Sequence, residues 1–138
     1  MKSQFPLVLI FISNILYAND EIKSLEPEDV LTGAIESNTW QYYRVELDEP
    51  ANLTVKLRKV KGNADVYVVS SRKPTQTFHE CAPKKTGNKA ETCRIKSNTT
   101  SVWYVGVYGK ESSTYDLTVE SNGFTGTPSE SQYDLGSR

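Results

Sequence analysis

The sequence predicts an all-β sandwich. Three observations carry that prediction: short segments in which apolar and polar residues alternate with a period of two, turn-forming residues between them, and no stretch with helical period and caps. The chain has 138 residues, room for one domain. About seven or eight such segments place it in the size class of immunoglobulin-like domains.

The elements follow in order. Residues 1–18 read as a signal peptide. Lys2 gives a positive start, Phe5 to Ile12 is apolar, Ile15 to Tyr17 extends the run, and Ala18 is a small residue suited to the position before cleavage. The run is too short and interrupted for a span of ~20 residues, and no second one exists, so no membrane insertion is expected after cleavage. Residues 19–28 form a polar lead-in closed near Pro27, and the domain is expected over 29–121. Val30-Leu31-Thr-Gly33 begins the pattern. Tyr43, Val45 and Leu47 share one face of the next strand. After the turn Asp48-Glu-Pro-Ala, Leu53, Val55 and Leu57 point inward, and Lys61-Gly-Asn63 turns the chain again. Ala64 to Val69 is apolar on both faces, as for a central strand. Ser70 to Pro74 breaks it, and a polar loop through both cysteines follows. Pairing resumes near Arg94 and Ile95, then Ser101 to Gly109 forms the strongest strand, and Tyr115 to Val119 closes the set. Residues 122–138 lose the apolar pattern and read as a flexible tail.

Export gives the cysteines meaning. Cys81 and Cys93 are the only two, and an oxidising compartment favours pairing them. Closing that loop stabilises by roughly 3 kcal/mol in the chain-entropy account. Their spacing is far from Cys-x-x-C and the chain has one histidine, which argues against a metal or redox pair.

Charge and motifs exclude several function classes. Sixteen basic residues balance 17 acidic ones, so the basic excess of a nucleic-acid binder is absent. The run Lys56-Leu-Arg-Lys-Val-Lys61 alternates with apolar residues and reads as the solvent side of a strand. His79 lies in the cysteine loop as a surface residue, and no motif gathers a nucleophile with a base, so no enzyme is expected. Asn52-Leu-Thr54 and Asn98-Thr-Thr100 fit the glycosylation acceptor pattern, which matters only in a eukaryotic host.

Aromatic residues supply the binding candidates. Trp40, Tyr42, Tyr104 and Tyr108 offer rigid contact area of the kind binding surfaces use. With Trp103, Val105 and Val107 on the buried side, Tyr104, Gly106 and Tyr108 must point outward. A glycine between two tyrosines is expected to leave a shallow gap in an apolar shelf, extended by Tyr42 if its strand is the neighbour.

From Val30 to Glu120 the sequence resembles the bacterial pre-peptidase C-terminal domain. The blocks that carry the resemblance are Leu31-Thr-Gly33, Tyr43-Arg-Val-Glu-Leu47 with Ala51-Asn-Leu-Thr-Val55, Gly62-Asn-Ala-Asp-Val-Tyr-Val68, Glu80-Cys81, Glu91-Thr-Cys93, Trp103-Tyr-Val105 and Tyr115-Asp-Leu-Thr-Val119. The resemblance implies a single jelly-roll-like antiparallel β-sandwich without catalysis of its own. Such domains usually sit behind a secreted peptidase, where they assist export or hold polymers such as collagen. Here the leader runs almost directly into the domain, so the expectation is a free-standing secreted module. Some members bind calcium through linker acids and an aspartate before paired tyrosines. In this chain Gln41 stands before Tyr42-Tyr43, Glu36-Ser-Asn38 replaces the aspartate-rich turn, and the upstream acids are Glu26, Glu28 and Asp29. No cofactor is therefore expected, calcium being the one the resemblance leaves open. Collagen-binding members use exposed tyrosines near the last long strand. Tyr108 falls at one such position and Lys110 stands at a second.

The functional expectation is a secreted, non-catalytic module that binds an extracellular protein or polysaccharide through Tyr42, Tyr104, Tyr108 and Lys110. Its location would be extracellular, or periplasmic if retained. Two alternatives remain: an export helper or accessory subunit of a separately encoded secreted protease, and a secreted effector or toxin component.

Overall fold

Side-chain alternation sorts the chain onto two sheets. The structure, a computed structural model, describes residues 21–123, which hold eight strands and no helix. They are β1 (Ile22–Ser24), β2 (Val30–Ile35), β3 (Trp40–Glu46), β4 (Ala51–Lys61), β5 (Ala64–Val69), β6 (Glu91–Ile95), β7 (Val102–Gly109) and β8 (Ser113–Gly123). The first sheet has the order β1-β3-β7-β5 and the second β2-β8-β4-β6. The sandwich expected from the sequence is the fold observed. The leader and the tail beyond Gly123 lie outside the described residues.

The core lies between the sheets. Tyr43, Val45, Trp103, Val105, Val66 and Val68 come from the first sheet, each no more than 1% exposed. Leu53, Val55, Leu57, Tyr115, Leu117 and Val119 answer them from the second. Each such side chain contributes roughly 1.5–3 kcal/mol by leaving water. The two large phenols meet across the layer, with 2.8 Å between the Tyr43 and Tyr115 hydroxyls. Each satisfies the other where water is excluded. Burial is the main reason both are held above the usual tyrosine range.

Three features depart from the sequence reading. Pairing is antiparallel except for β1, which runs parallel to β3 with Ile22 opposite Tyr42. The lead-in is part of the sandwich: it supplies β1, and Leu25, 2% exposed, enters the core. A lone strand of three residues gave too short a pattern to read. The third departure is β5, which is an edge strand rather than a central one. Its residues are buried on both faces because the loop after it folds back across the outer one.

That loop also closes the edge. The Val68 N–H donates to the Cys81 carbonyl at 2.9 Å, and the Glu80 and Cys81 N–H groups donate to the Val68 carbonyl at 2.8 and 3.1 Å. Next along the edge, the Val66 N–H donates to Glu91 Oε2 at 2.9 Å. The Cys81–Cys93 disulfide then ties this edge of the first sheet to β6 of the second.

Candidate binding face

The outward side of the first sheet forms a small grid fixed by strand register. Trp40, Tyr108 and Asp65 make one row, Tyr42, Gly106 and Tyr67 the next, and Arg44, Tyr104 and Val69 the third. Glycine occupies the centre. The gap expected there is filled. A Cβ on Gly106 would lie 2.9 Å from Trp40 Cζ3 and 2.8 Å from Pro74 Cγ, so the indole and the proline cover that backbone. The shelf is therefore centred on Trp40 and has no notch. Only a residue without Cβ lets the indole come this close.

Trp40 is the hub of the cluster. Its ring lies 4.9 Å from Tyr108, 5.0 Å from Tyr67 and 5.4 Å from Tyr42, stacked on the last with 4° between planes. These are the spacings of favourable aromatic pairs, each worth about 0.5–1.5 kcal/mol beyond area burial. Trp40, Tyr42 and Tyr108 remain half-buried. The Tyr108 hydroxyl donates to Asn38 Oδ1 at 3.2 Å, which fixes the phenol against the β2–β3 turn.

The roof comes from the loop after β5. His79 meets Tyr67 edge-on at 5.3 Å, and its Nδ1 lies 3.2 Å from the Thr75 carbonyl. The sole histidine thus packs on the Tyr67 ring and holds the Thr75 backbone. Lys73 sits 5.0 Å above Tyr42 and Lys84 5.8 Å above Tyr67. Tyr67 itself is 2% exposed, and its hydroxyl is pushed up to about 12 by burial and then by the charges of Asp65 and Glu91.

Of the four binding residues named from the sequence, the fold brings two together. Tyr42 and Tyr108 both touch Trp40. Tyr104 lies a row away, beside Arg44, whose guanidinium is hydrogen-bonded first to Glu46 at 2.6 Å and then to Tyr104. Lys110 has an internal partner, with its Nζ 3.0 Å from Asp65 Oδ2. Sequence reasoning passed over Tyr67, Pro74 and Lys73. Tyr67 looked like one more member of an apolar strand, and its alternation with Val66 and Val68 was the available sign that it faces outward.

At the β5 edge of the face, Asp65 and Glu91 are both fully buried. Glu91 accepts the Val66 N–H at Oε2 and the Lys85 N–H at Oε1, at 2.9 and 2.6 Å. Burial, against those two donors and with help from the Asp65 charge, raises its carboxyl to about 7. At the position where some pre-peptidase domains place a calcium-binding aspartate, Gln41 Nε2 donates to the Tyr42 carbonyl at 3.1 Å and toward the Glu21 carbonyl at 3.4 Å. The side chain at this position is thus neutral and its amide nitrogen is engaged by backbone. No group of three or more acidic, histidine or cysteine side chains gathers elsewhere among the described residues.

Residues 40–109 match the model of the bacterial pre-peptidase C-terminal domain. The chain belongs to that family. Over 91 residues it is 31% identical to alkaline serine exoprotease A of Vibrio alginolyticus, covering 61% of this chain and 17% of that protease. Over 72 residues it is 32% identical to the neutral protease of Vibrio proteolyticus, covering 52% of this chain and 12% of that one. The chain thus spans a small part of the length of these relatives. The pre-peptidase C-terminal domain of a Bacillus anthracis collagenase superposes with a TM-score of 0.57 at 12% identity, over 73% of this chain and 96% of that domain. At that identity the likeness speaks for the fold. The aromatic face of this pre-peptidase domain is built from three of its four first-sheet strands and the loop that follows β5.

Proposed function

We propose that this protein is an exported, non-catalytic binding module that holds an extracellular protein or polysaccharide on the Trp40–Tyr42–Tyr108 face, in the extracellular space or the periplasm. The observation that carries the reading is the cluster itself. Three large aromatic rings stand half-buried on the outside of a sheet whose own core is already complete on the other side. Aromatic side chains locked by neighbours bind with little loss of conformational freedom.

The test is a pull-down of the mature chain on insoluble collagen and on polysaccharide beads. Tyr42→Ala and Tyr108→Ala should each weaken retention by about 2 kcal/mol, or roughly thirtyfold, because central aromatics dominate such surfaces. Their melting temperatures should stay within a few degrees of the wild type. Retention that is unchanged in both variants removes the face as a binding site.

The match to segments of two Vibrio proteases favours a second reading, an accessory of a secreted protease. That reading expects a stable complex with a peptidase on size-exclusion chromatography, and no affinity for polymer alone.

A further inference from the structure

The loop that roofs the aromatic face is basic. Segment 70–90 holds Arg72, Lys73, Lys84, Lys85 and Lys89 against the single acid Glu80, in a chain whose formal net charge is −1. Arg72, Lys84, Lys85 and Lys89 are exposed. Among the described residues, no ion pair engages the ammonium groups of Lys84, Lys85 and Lys89. Two of the segment's cations stand over rings of the cluster, Lys73 over Tyr42 and Lys84 over Tyr67. Two acids at the β5 edge of the face, Asp65 and Glu91, are buried and already engaged, Asp65 by Lys110 and Glu91 by two backbone N–H groups. The exposed charges of the loop itself are then four cations and Glu80. Glu46 at the end of β3, paired with Arg44, lines a hollow with Glu26, Asp48, Glu49, Leu47 and Ala51.

We infer that the ligand of this face is an anionic polysaccharide, a chain bearing carboxylate or sulfate groups at regular intervals. The proposal rests on the aromatic reading above and adds the ligand's charge. Rings of the Trp40 cluster lie against the faces of successive sugars, and Lys84, Lys85 and Lys89 meet their anionic groups. A linear polyanion fits better than a folded acidic protein on one ground. Lys84, Lys85 and Lys89 lie on a single exposed loop that reaches the rings at Lys84 over Tyr67, so one extended chain can touch charge and aromatic surface together. The disulfide holds that path in place by fixing the loop at Cys81 to β6 at Cys93.

The experiment measures binding of the mature chain to alginate, to the neutral glucan pullulan and to poly-glutamate, across about 50 to about 500 mM NaCl. The expected result is binding to alginate over both others, weakening as salt rises. The triple variant Lys84→Gln, Lys85→Gln, Lys89→Gln should bind alginate roughly tenfold or more weakly, with the salt slope reduced by up to about one per lysine. These side chains are exposed, so its melting temperature should match the wild type. Tyr108→Ala should weaken alginate binding with the salt slope kept. Alginate affinity unchanged in the triple variant, or no alginate binding at low salt, overturns the inference. Preference for poly-glutamate also overturns it and makes an acidic protein the partner. If pullulan is bound through Tyr108 independently of the lysines, the aromatic reading stands and the charge inference fails. If the lysines matter and Tyr108 does not, the polyanion inference stands and the aromatic reading fails.

Discussion

Gly106 shows how a single missing Cβ organises the candidate site. The position is central in the grid, and the indole of Trp40 reaches it only because nothing projects there. Gly106→Ala would put a methyl 2.8 Å from Pro74 Cγ and 2.9 Å from Trp40 Cζ3. Overpacking of that kind typically costs about 1–3 kcal/mol. The variant should show that loss in urea unfolding, together with weaker polymer retention, since Trp40 must move. A stable variant with wild-type retention would mean that the indole has another resting place. Glu91 is the second informative residue. Its carboxyl lies at about 7 instead of 4.5, chiefly through burial, so the folded state holds that proton more tightly than the unfolded chain. Its stabilising contribution is therefore complete below about pH 4.5 and is lost as pH rises through about 7. Glu91→Gln keeps one acceptor for two N–H donors, leaving one unsatisfied at a cost of about 1–3 kcal/mol. The stability gap between wild type and variant should be wider at acid pH than above neutrality, measured by denaturant titration at several pH values. A gap independent of pH would show that Glu91 does not titrate in that range.

At the scale of elements, the loop between β5 and β6 matters most. It satisfies the backbone of an edge strand, roofs the outer face and carries the disulfide. Replacing Cys81 and Cys93 by serine should cost roughly 2–4 kcal/mol. It should also increase self-association, because an uncovered strand edge offers unpaired N–H and C=O groups to other chains. Denaturation and light scattering of the double variant would read both effects, and wild-type behaviour in each would show that the loop holds without its staple. Legibility in the sequence divides along the same line. The inward sets Tyr43, Val45, Leu47 and Leu53, Val55, Leu57 were readable because a period of two is local. Trp103, Val105 and Val107 were readable for the same reason. Neighbour relations were not, since they depend on pairing between distant segments. Ala64 to Val69 carries the same apolar run whether a strand or a loop covers it, so an edge strand under a loop looked central. Tyr42 and Tyr108 were found from composition and alternation. That Trp40 would join them over Gly106 depended on the β3–β7 register, with Tyr42 opposite Gly106, and no local pattern encodes that.

For the whole molecule, sequence distance separates most partners. Val30 in β2 pairs with Thr118 in β8, and Trp40 in β3 with Tyr108 in β7. Such non-local topology must close long loops before contacts form, so refolding with the disulfide intact should take milliseconds to seconds. Stopped-flow refolding checks this, and a sub-millisecond phase carrying the full amplitude would contradict it. The two tryptophans divide the molecule in another way. Trp103 is 1% exposed in the core between the sheets, while Trp40 stands half-buried on the opposite side of the first sheet. Their emission should therefore form two separable channels. An aqueous quencher such as acrylamide should reach one population in the native protein and both after unfolding. A ligand on the outer face should shield the first and leave the second unchanged, so a fluorescence titration of the unmodified chain reports occupancy and integrity at once.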